Sequence, residues 1–363
     1  MDLDATDVDH LATIAELITY GVEQASEEAR LYGVAGAGEE VTISRNREAF
    51  RRLALRSRVL RDVSRVDLTT TVLGIELTSP VMLAPIGALR LFSAQGAADV
   101  AIAAESRGSA AVIGMLADPS YAQVVEACGA PQLFQLYVSG DRGWLREIVS
   151  RIEEVGCRGL CVTVDSPVHG RRDRLLVNAV DFRLEREGEP PNLLGLGRDR
   201  SYQARFTWDD LDWLRGQTPL PLLLKGVMHP ADAALAVDLG ADAVYVSNHG
   251  GRELDHALST IEVLPSIVDA VGGRAEILLD GGVRRGTDVI KALALGARAV
   301  LVGRPQCWAL AAGGSAGVAR LLDLLGAEVR STMAMMGCHS LAELNADSVH
   351  PSFAPTTDPG PGA

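Results

Sequence analysis

The chain has 363 residues, of which 47% are hydrophobic and 22% charged, values typical of a folded globular protein. Asp and Glu outnumber Lys and Arg by 47 to 34, and the resulting net charge of −13 argues against a nucleic-acid partner. The 37 glycines and the low aromatic content of 4% favour an α/β protein over a β-sandwich or a fibre.

The first 80 residues are predicted to form a cap of helices and a hairpin rather than a separate domain. Apolar residues have helical spacing in DHLATIAELITYGVEQASEEARLYG, and a hairpin-like stretch lies between Thr69 and Ser79. The acidic N-terminus, MDLDATDVDH, lacks the basic and apolar segments of a signal peptide. No uninterrupted apolar run reaches the roughly 20 residues of a membrane span, so we expect a cytoplasmic protein with no membrane partner.

Residues 81–345 alternate between strand-like and helix-like patterns. Eight apolar runs have the length of buried strands. They are VMLAPI, SAAVIG, QLFQLYV, GLCVTVD, PLLLKG, AVYVSN, EILLDGG and AVLVGR. Continuous apolar strands separated by helices indicate a parallel sheet covered on both faces. Eight such units favour a (β/α)8 TIM barrel over an open doubly wound sheet, and we predict a single domain over residues 1–350.

The alternation breaks after the fourth strand. The segment between Asp165 and Pro221 is polar and rich in Gly and Pro, which predicts a long loop over residues 178–207. In a barrel, such a loop covers the active site. Residues 351–363, which include PTTDPGPGA, are predicted to form a disordered tail.

Polar residues occur at the ends of six successive predicted strands, from the third to the eighth. They are Gln135 and Tyr137; Thr163 and Asp165; Lys225; Ser247, Asn248 and His249; Asp280; and Gly303 with Arg304. Functional groups of barrels lie where strands end. So many polar residues at these positions predict a functional site rather than isolated structural groups.

The segment from Asp280 to Pro305, DGGVRRGTDVIKALALGARAVLVGRP, has the form of a phosphate site. Glycines let backbone N–H groups approach an anion, and the N-terminus of the following helix adds its dipole. Arg284 and Arg304 can pair with phosphate oxygens. The alternative is a tight turn with solvated arginines. We expect a phosphorylated ligand.

The segment SNHGGRELD, from Ser247 to Asp255, is the most specific motif. His249 fits a general base at neutral pH, and Arg252 fits a bidentate clamp for a substrate carboxylate. Another arginine pair, Arg171 and Arg172, follows the fourth strand. Asp165 can orient the imidazole and raise its basicity.

Lys225 ends an apolar strand, where its charge must be paired. It is either a Schiff-base nucleophile, a cation that stabilises negative charge on a bound ring, or a lysine tied to carboxylates. The five cysteines form no CxxC pair and are predicted to be reduced thiols. The spacing of His and Cys predicts no metal site.

These motifs resemble those of the FMN-dependent α-hydroxy acid oxidase and dehydrogenase family, over about Tyr32 to Leu341. The resemblance rests on YGVAGAGEEVTISRNREAF, LAPIG, FQLYV, TVDSPVHGRRD, LLLKG, SNHGGRELD and DGGVRRGTDVIKALALGA with VGRP. It implies FMN as cofactor, a 2-hydroxy acid as substrate, O2 or another electron acceptor, and a homotetramer.

The resemblance also implies roles for individual residues. His249 would be the base, supported by Asp165, while Arg252, Arg172, Tyr32 and Tyr137 would contact the substrate. Lys225 would stabilise the reduced flavin at its N1/O2 edge. The remaining cofactor contacts would come from Pro85, Ile86, Gly87, Gly114, Gln135, Thr163, Ser247, Asp280, Gly281, Gly282, Val283, Arg284, Gly303 and Arg304.

The chain departs from the family pattern around the cofactor. Ile86 stands where the family has Thr or another small residue, and Gly114 stands where a Ser or Thr usually faces FMN. Both changes remove a side-chain contact to the cofactor. Gly87 replaces a common Ala, and Tyr32 is followed by Gly33 rather than by a second tyrosine. These two changes are expected to widen the cavity for a substrate larger than glycolate, either aryl or branched.

The sequence therefore predicts an FMN-dependent (S)-2-hydroxy acid oxidase that forms a 2-keto acid and H2O2. A dehydrogenase with another acceptor is the alternative, and Gly87 favours it. Two further alternatives are another phosphate-binding barrel, such as an isomerase or a nucleotide dehydrogenase, and a binding protein that has lost its flavin.

Overall fold

A computed structural model describes residues 8–130, 132–178 and 190–352. Residues 179–189 of the predicted loop and residues 353–363 of the predicted tail lie outside this part of the chain. The N-terminal segment forms three helices and three short strands. They are α1 (Ile14–Gln24), α2 (Glu27–Val34), α3 (Val41–Arg51), β1 (Leu53–Leu55), β2 (Thr70–Val72) and β3 (Ile75–Leu77). Strands β2 and β3 pair antiparallel, which confirms the predicted hairpin.

The next eight strands form a parallel barrel. They are β4 (Val81–Leu83), β5 (Val112–Gly114), β6 (Leu133–Leu136), β7 (Leu160–Thr163), β8 (Leu222–Val227), β9 (Ala243–Val246), β10 (Glu276–Leu279) and β11 (Ala299–Val302). Neighbours in the sheet are neighbours in the chain, except that β11 pairs with β4. A bridge between Leu83 and Ala111 closes the barrel between β4 and β5. The (β/α)8 prediction is confirmed, because an open sheet would leave two unpaired edges.

The hairpin seals the amino-terminal end of the barrel. Val72 and Leu77 belong to the same buried cluster as Tyr245, which points into the barrel from β9. The backbone N–H of Leu73, at the hairpin turn, donates to the carboxylate of Glu276 at the start of β10. The opposite end, where the strands finish, is the end that carries the predicted site residues.

Helices surround the barrel, and a short strand follows the last of them. The elements are α4 (Ala97–Ser106), α5 (Tyr121–Cys128), α6 (Arg142–Glu154), α7 (Asp173–Val177), α8 (Trp208–Arg215), α9 (Pro230–Asp238), α10 (Thr260–Val271), α11 (Gly286–Ala294), α12 (Arg304–Met336) and β12 (Val349–Pro351). Helix α10 illustrates how the sequence sets their limits. Ser259 and Glu262 form a capping box at its start, and Gly272 ends it at a φ of +59°.

Helix α12 holds α1 against the barrel. A Cβ added at Gly21 of α1 would lie only 1.9 Å from the carbonyl oxygen of Trp308, so the two helices meet backbone to backbone. The helical geometry of α12 is interrupted at Gly313 and Gly314. Among the described helices it alone is long and apolar enough to cross a membrane, and half of its most apolar stretch is buried in the fold.

The predicted limit of the disordered tail is wrong by two residues. Pro351 lies in β12, which pairs antiparallel with β1 so that Leu53 is opposite Pro351. The N–H of Ser352 also donates to the carbonyl of Arg52 at 2.6 Å. Backbone pairing, which composition does not reveal, therefore orders the chain through residue 352.

The described parts of the predicted loop are fixed over the ends of the strands. A 3-10 helix spans Arg200–Arg205. Its buried Gln203 accepts from the N–H of Val138 at 2.6 Å and donates to the carbonyl of Thr163 at 3.0 Å. These bonds hold the segment above β6 and β7.

Candidate active site

A cavity of about 420 Å³ lies at the carboxyl ends of the strands. Most of the predicted site residues line it. They are Tyr32, Pro85, Ile86, Gly87, Gln135, Tyr137, Arg172, Lys225, His249, Arg252, Asp280, Gly281, Gly282, Val283, Arg284, Gly303 and Arg304. Four others, Gly114, Thr163, Asp165 and Ser247, lie outside this lining, on the same strand ends.

The turn that presents His249 is built from unusual backbone. His249 has a φ of +55°, followed by +62° at Gly250 and +77° at Gly251. Non-glycine residues rarely adopt this region, and they do so mostly where the surrounding structure enforces it. Here the N–H of His249 donates to Ser247 Oγ at 3.1 Å. At Gly251, a Cβ would lie 2.9 Å from the backbone nitrogen of Ile43, so only glycine fits against α3.

A buried amide pair supports the same turn. Asn248 Nδ2 donates to Asn46 Oδ1 at 2.8 Å, and Asn46 Nδ2 donates to Asn248 Oδ1 at 3.0 Å. Both side chains are buried, and Asn46 lies on α3 of the cap. The cap therefore helps to position the loop that carries the histidine.

His249 has Asp165 on one side of its ring and Tyr137 on the other. The Nδ1 atom lies 2.9 Å from Asp165 Oδ1, and Nε2 lies 3.3 Å from Tyr137 Oη. Burial raises the pKa of Asp165, but Lys225 and His249 outweigh that effect and leave it lowered. An ionised carboxylate accepts only, so Nδ1 carries the proton. Nε2 therefore presents a lone pair to the cavity, where it can accept a proton.

Lys225 is a buried cation beside this pair. Its side chain is 3% exposed, and Nζ lies 3.7 Å from Asp165 Oδ2 and 3.4 Å from His249 Nδ1. Burial lowers its pKa, but Asp165 and Asp280 more than compensate and raise it. A Schiff-base nucleophile needs a neutral amine. The geometry therefore favours a fixed positive charge at the cavity floor.

Three buried polar atoms near the cavity floor have no hydrogen-bond partner among the described residues. They are Gln135 Nε2, Thr163 Oγ1 and Asp280 Oδ1. The other oxygen of Asp280 accepts from Tyr245 Oη at 2.8 Å, which fixes the carboxylate. Unpartnered buried polar atoms are rare in native proteins. A donor, a hydroxyl and a carboxylate beside a fixed cation fit the polar ring edge and ribityl hydroxyls of FMN.

The predicted phosphate end is rich in positive charge. Gly281 and Gly282 have φ values of +84° and +101°, and α11 begins four residues later at Gly286. Arg304 donates to the carbonyls of Gly33, Gly250 and Ala35. Burial, together with Arg252 and Arg284, lowers the pKa of Arg304. A phosphate would relieve this crowding of cations.

One detail of the phosphate prediction needs correction. The backbone N–H groups of Arg284 and Arg285 both donate to Asp288 Oδ2, at 2.9 and 3.1 Å. They are therefore engaged by the protein itself. Arg47 of α3, which the sequence reasoning did not identify, lines the cavity and donates to the carbonyl of Gly282 and to Asp288. An arginine on a cap helix gives no motif at the strand ends that would reveal it.

The two arginines of the predicted carboxylate clamp differ in their availability. Arg252 Nη1 donates to the carbonyls of Tyr32 and Ala35 at 2.8 and 2.9 Å. Its Nη2 atom is buried and has no partner among the described residues. Arg172, by contrast, donates to Glu253 Oε1 at 2.8 Å. Of the two arginines, Arg252 is therefore the one with a buried donor that an anionic ligand could satisfy.

Three of the four departures from the family pattern, at Ile86, Gly114 and Gly87, have distinct structural consequences. Ile86 lines the cavity, whereas Gly114 lies behind it, where a Cβ would be 3.4 Å from Gln135 Oε1. At Gly87, a Cβ would lie 3.2 Å from Leu116 Cβ. The space expected from this glycine is therefore partly filled by Leu116, and the cavity is less widened at this point than the sequence suggests.

The barrel, the buried cation and the unpartnered groups around it define the class of flavin-dependent oxidoreductases. The sequence model described as FMN-dependent dehydrogenase matches residues 22–351. The chain belongs to this family, and FMN is its cofactor.

Relatives with high coverage support the assignment. An L-lactate oxidase from Nostoc sp. is 44% identical over 337 residues, 88% of this chain and 92% of the relative. An L-lactate dehydrogenase from Caulobacter sp. is 41% identical, over 85% of this chain and 90% of the relative. The crystal structure of mandelate oxidase with (S)-2-phenylpropionate superposes with a TM-score of 0.86 at 38% identity, over 93% of this chain and 98% of that one.

Proposed function

We propose that the protein oxidises (S)-2-hydroxy acids to 2-keto acids and passes the electrons to O2, which yields H2O2. The observation that carries the proposal is the juxtaposition of His249 Nε2, backed by ionised Asp165, with the unpartnered Nη2 of Arg252 in one cavity. A base and a buried cation are the two groups that a 2-hydroxy acid requires. The L-lactate oxidase and mandelate oxidase similar to this chain support O2 as acceptor.

The residues divide the reaction between binding and proton transfer. Arg252 holds the substrate carboxylate, with Tyr32 and Arg172 beside it, and so fixes the α-carbon and its hydroxyl next to His249. Nε2 accepts a proton from the substrate, and Asp165 stabilises the imidazolium that results. Tyr137 Oη, 3.3 Å from Nε2, contacts the substrate hydroxyl or carboxylate.

FMN, when bound, would supply the two-electron acceptor for the substrate and the route by which the electrons reach O2. Lys225 provides a permanent positive charge where the reduced ring would be negative. The cavity is held together by interactions that are already formed without substrate, which reduces the reorganisation needed during the reaction.

The proposed substrate is larger than glycolate, with an aryl or branched side chain. Leu116, Leu175 and Leu176 add apolar surface to the cavity. The similarity to mandelate oxidase favours the same conclusion. One similar protein is an L-lactate dehydrogenase. The alternative proposal is therefore that the electrons pass to an acceptor other than O2, such as a quinone or a protein.

The test is anaerobic bleaching of the flavin in the purified protein by a panel of 2-hydroxy acids, followed by admission of air. We expect flavin absorption in the isolated protein, bleaching by (S)-2-hydroxy acids, and recovery with one H2O2 per substrate. His249→Gln should retain FMN and not be bleached. A protein without flavin, or one that no 2-hydroxy acid reduces, would contradict the proposal. Bleaching without recovery in air would reject O2 as the acceptor and favour a dehydrogenase.

A homotetramer in the cytoplasm completes the proposal. The family resemblance supports the assembly. Light scattering of the purified holoenzyme tests the first part, and a mass corresponding to one chain would reject it.

A further inference from the structure

A second group of cations lies at the outer part of the substrate cavity. Arg200, on the 3-10 helix that follows β7, lines the cavity together with Arg172, His169 and Tyr137. The Nη1 atoms of Arg200 and its neighbour Arg198 are buried and have no hydrogen-bond partner among the described residues. A buried guanidinium nitrogen without an acceptor is unfavourable, so these atoms indicate a missing anion.

Glu253, a described carboxylate that acts electrostatically on Arg200, is already engaged. Glu253 Oε2 accepts from the N–H of Gly170 at 2.7 Å, and Oε1 accepts from Arg172 Nη2 at 2.8 Å. Its side chain is only 8% exposed, so it is a fixed part of the wall. Both oxygens of Glu253 are therefore taken up by groups other than Arg200.

The charges of the described residues in this region do not balance. The guanidinium groups of Arg172, Arg198 and Arg200 all lower the pKa of His169, whereas the carboxylate of Glu253 raises it. Glu253 forms an ion pair with Arg172, and the reacting carboxylate of a 2-hydroxy acid would bind Arg252. A surplus of positive charge at Arg198 and Arg200 then remains among the described residues.

The titration of neighbouring groups reflects this surplus. Partial burial and the charges of Arg200, Arg172 and Arg198 lower the pKa of His169 to about 4. His169 is therefore neutral at physiological pH and adds no positive charge of its own. Burial, with repulsion from Arg198 and Arg172, also lowers the pKa of Arg200.

We propose that the preferred substrate is a 2-hydroxy dicarboxylic acid, whose distal carboxylate binds Arg200 while its reacting carboxylate binds Arg252. The inference rests on the proposed reaction, but it replaces the aryl or branched side chain proposed above with a side chain that ends in a carboxylate. The α-carbon C–H and hydroxyl O–H bonds break and a C=O bond forms. The two electrons pass through FMN to O2, which takes up two protons to give H2O2. The distal carboxylate is unchanged.

An apolar side chain would fit the same space less well. It would cover Arg200 without supplying an acceptor, and a desolvated charge without a partner is costly. A carboxylate supplies the acceptor, and a charge-assisted hydrogen bond contributes about 10- to 100-fold in affinity. Arg200 thus selects for charge in a cavity that Leu175 and Leu176 also line.

The experiment compares (S)-2-hydroxyglutarate with its terminal amide, which has nearly the same shape but no distal charge. Anaerobic flavin reduction gives kcat/KM for both in the wild type, Arg200→Met, Arg200→Lys and the control Arg205→Met. Arg205 lies on the same 3-10 helix but its side chain is exposed and packs over Tyr202. Titration with 2-oxoglutarate and 2-oxobutyrate, followed by flavin absorbance, measures binding without turnover.

We expect the wild type to prefer the dicarboxylate by roughly tenfold or more, on the basis of one charge-assisted hydrogen bond. Arg200→Met should abolish the preference, Arg200→Lys should restore part of it, and Arg205→Met should retain it in full. Equal kcat/KM values for the acid and the amide in the wild type would overturn the inference while leaving the proposed function intact. A preference that survives in Arg200→Met would also overturn it. Failure of every 2-hydroxy acid, lactate and mandelate included, to reduce the flavin would overturn both.

Discussion

The substitution Asp165→Asn tests the proton-transfer step most directly. Asp165 lies 2.9 Å from His249 Nδ1 and 3.7 Å from Lys225 Nζ. At an effective dielectric constant of about 20, a unit charge at these distances is worth about 4 to 6 kcal/mol to each partner. The amide oxygen of the variant can still accept a hydrogen bond from His249, so the orientation of the imidazole ring is retained. The positive charge that the ring acquires on accepting a proton is no longer balanced by a carboxylate.

The expected loss follows from this difference. If about half of the Coulombic attraction is recovered by relaxation and solvent, imidazolium formation becomes less favourable by about 2 to 3 kcal/mol. That corresponds to roughly 30- to 150-fold in the rate of flavin reduction. Substrate binding should change much less, because Arg252 is untouched.

Stopped-flow reduction under anaerobic conditions, at saturating substrate, measures the effect. The FMN content of each preparation provides the folding control. Asp173→Asn is the matched variant, because Asp173 does not line the cavity and its ion pair with Arg171 at the cavity rim is largely exposed. Its rate should equal that of the wild type within about twofold. Reduction of Asp165→Asn within threefold of the wild-type rate, at full FMN content, would refute the role given to the carboxylate.

Three further substitutions probe other parts of the site. Arg252→Met removes the unpartnered donor and should lower kcat/KM by about 10- to 100-fold; steady-state kinetics that match the wild type would argue against the clamp. Gly87→Ala places a methyl group 3.2 Å from Leu116 Cβ and should reduce activity on mandelate more than on lactate; an equal effect on both would show that this wall does not limit substrate size. Tyr245→Phe leaves Asp280 with one fewer donor and should cost about 1 to 2 kcal/mol in unfolding free energy, together with weaker FMN binding. Urea denaturation and fluorescence titration of FMN measure these two effects, and unchanged values would show that the hydroxyl does not fix the carboxylate.

The barrel was predictable because its strands are buried on both faces. All eight predicted strands are present. In an α/β chain, a continuous apolar run between turn residues is typical of a strand of a parallel sheet that is covered on both faces. The sequence also predicts that His249 and Asp165 lie in one site, because the carboxyl ends of parallel strands lie at the same end of a barrel. Asp165 follows β7 and His249 follows β9, with β8 between them, so their distance of 2.9 Å reflects strand ends that converge at one end of the barrel.

Other features depend on side-chain partners that the sequence does not specify. Arg172 lines the cavity, but its guanidinium pairs with Glu253. The two residues are 81 positions apart in the chain, so the sequence does not reveal this pair. Gly87 suggested extra space, but Leu116 approaches it from the next strand end. Arg200 lies in a segment with no regular pattern, where only the anchoring by Gln203 shows that it reaches the cavity.

The pairing of β1 with β12 also bears on how the protein is made. The two strands are separated by about 300 residues, so β1 has no partner until residue 351 has left the ribosome. At about 5 to 20 residues per second, the N-terminal segment waits roughly 15 to 60 s. During that time the apolar faces of α1 and of the β2–β3 hairpin are exposed on the nascent chain, where they would attract chaperones or other nascent chains. Barrel closure between β4 and β11, about 220 residues apart, carries a delay of roughly 10 to 45 s, so assembly of this active site is a late event in synthesis.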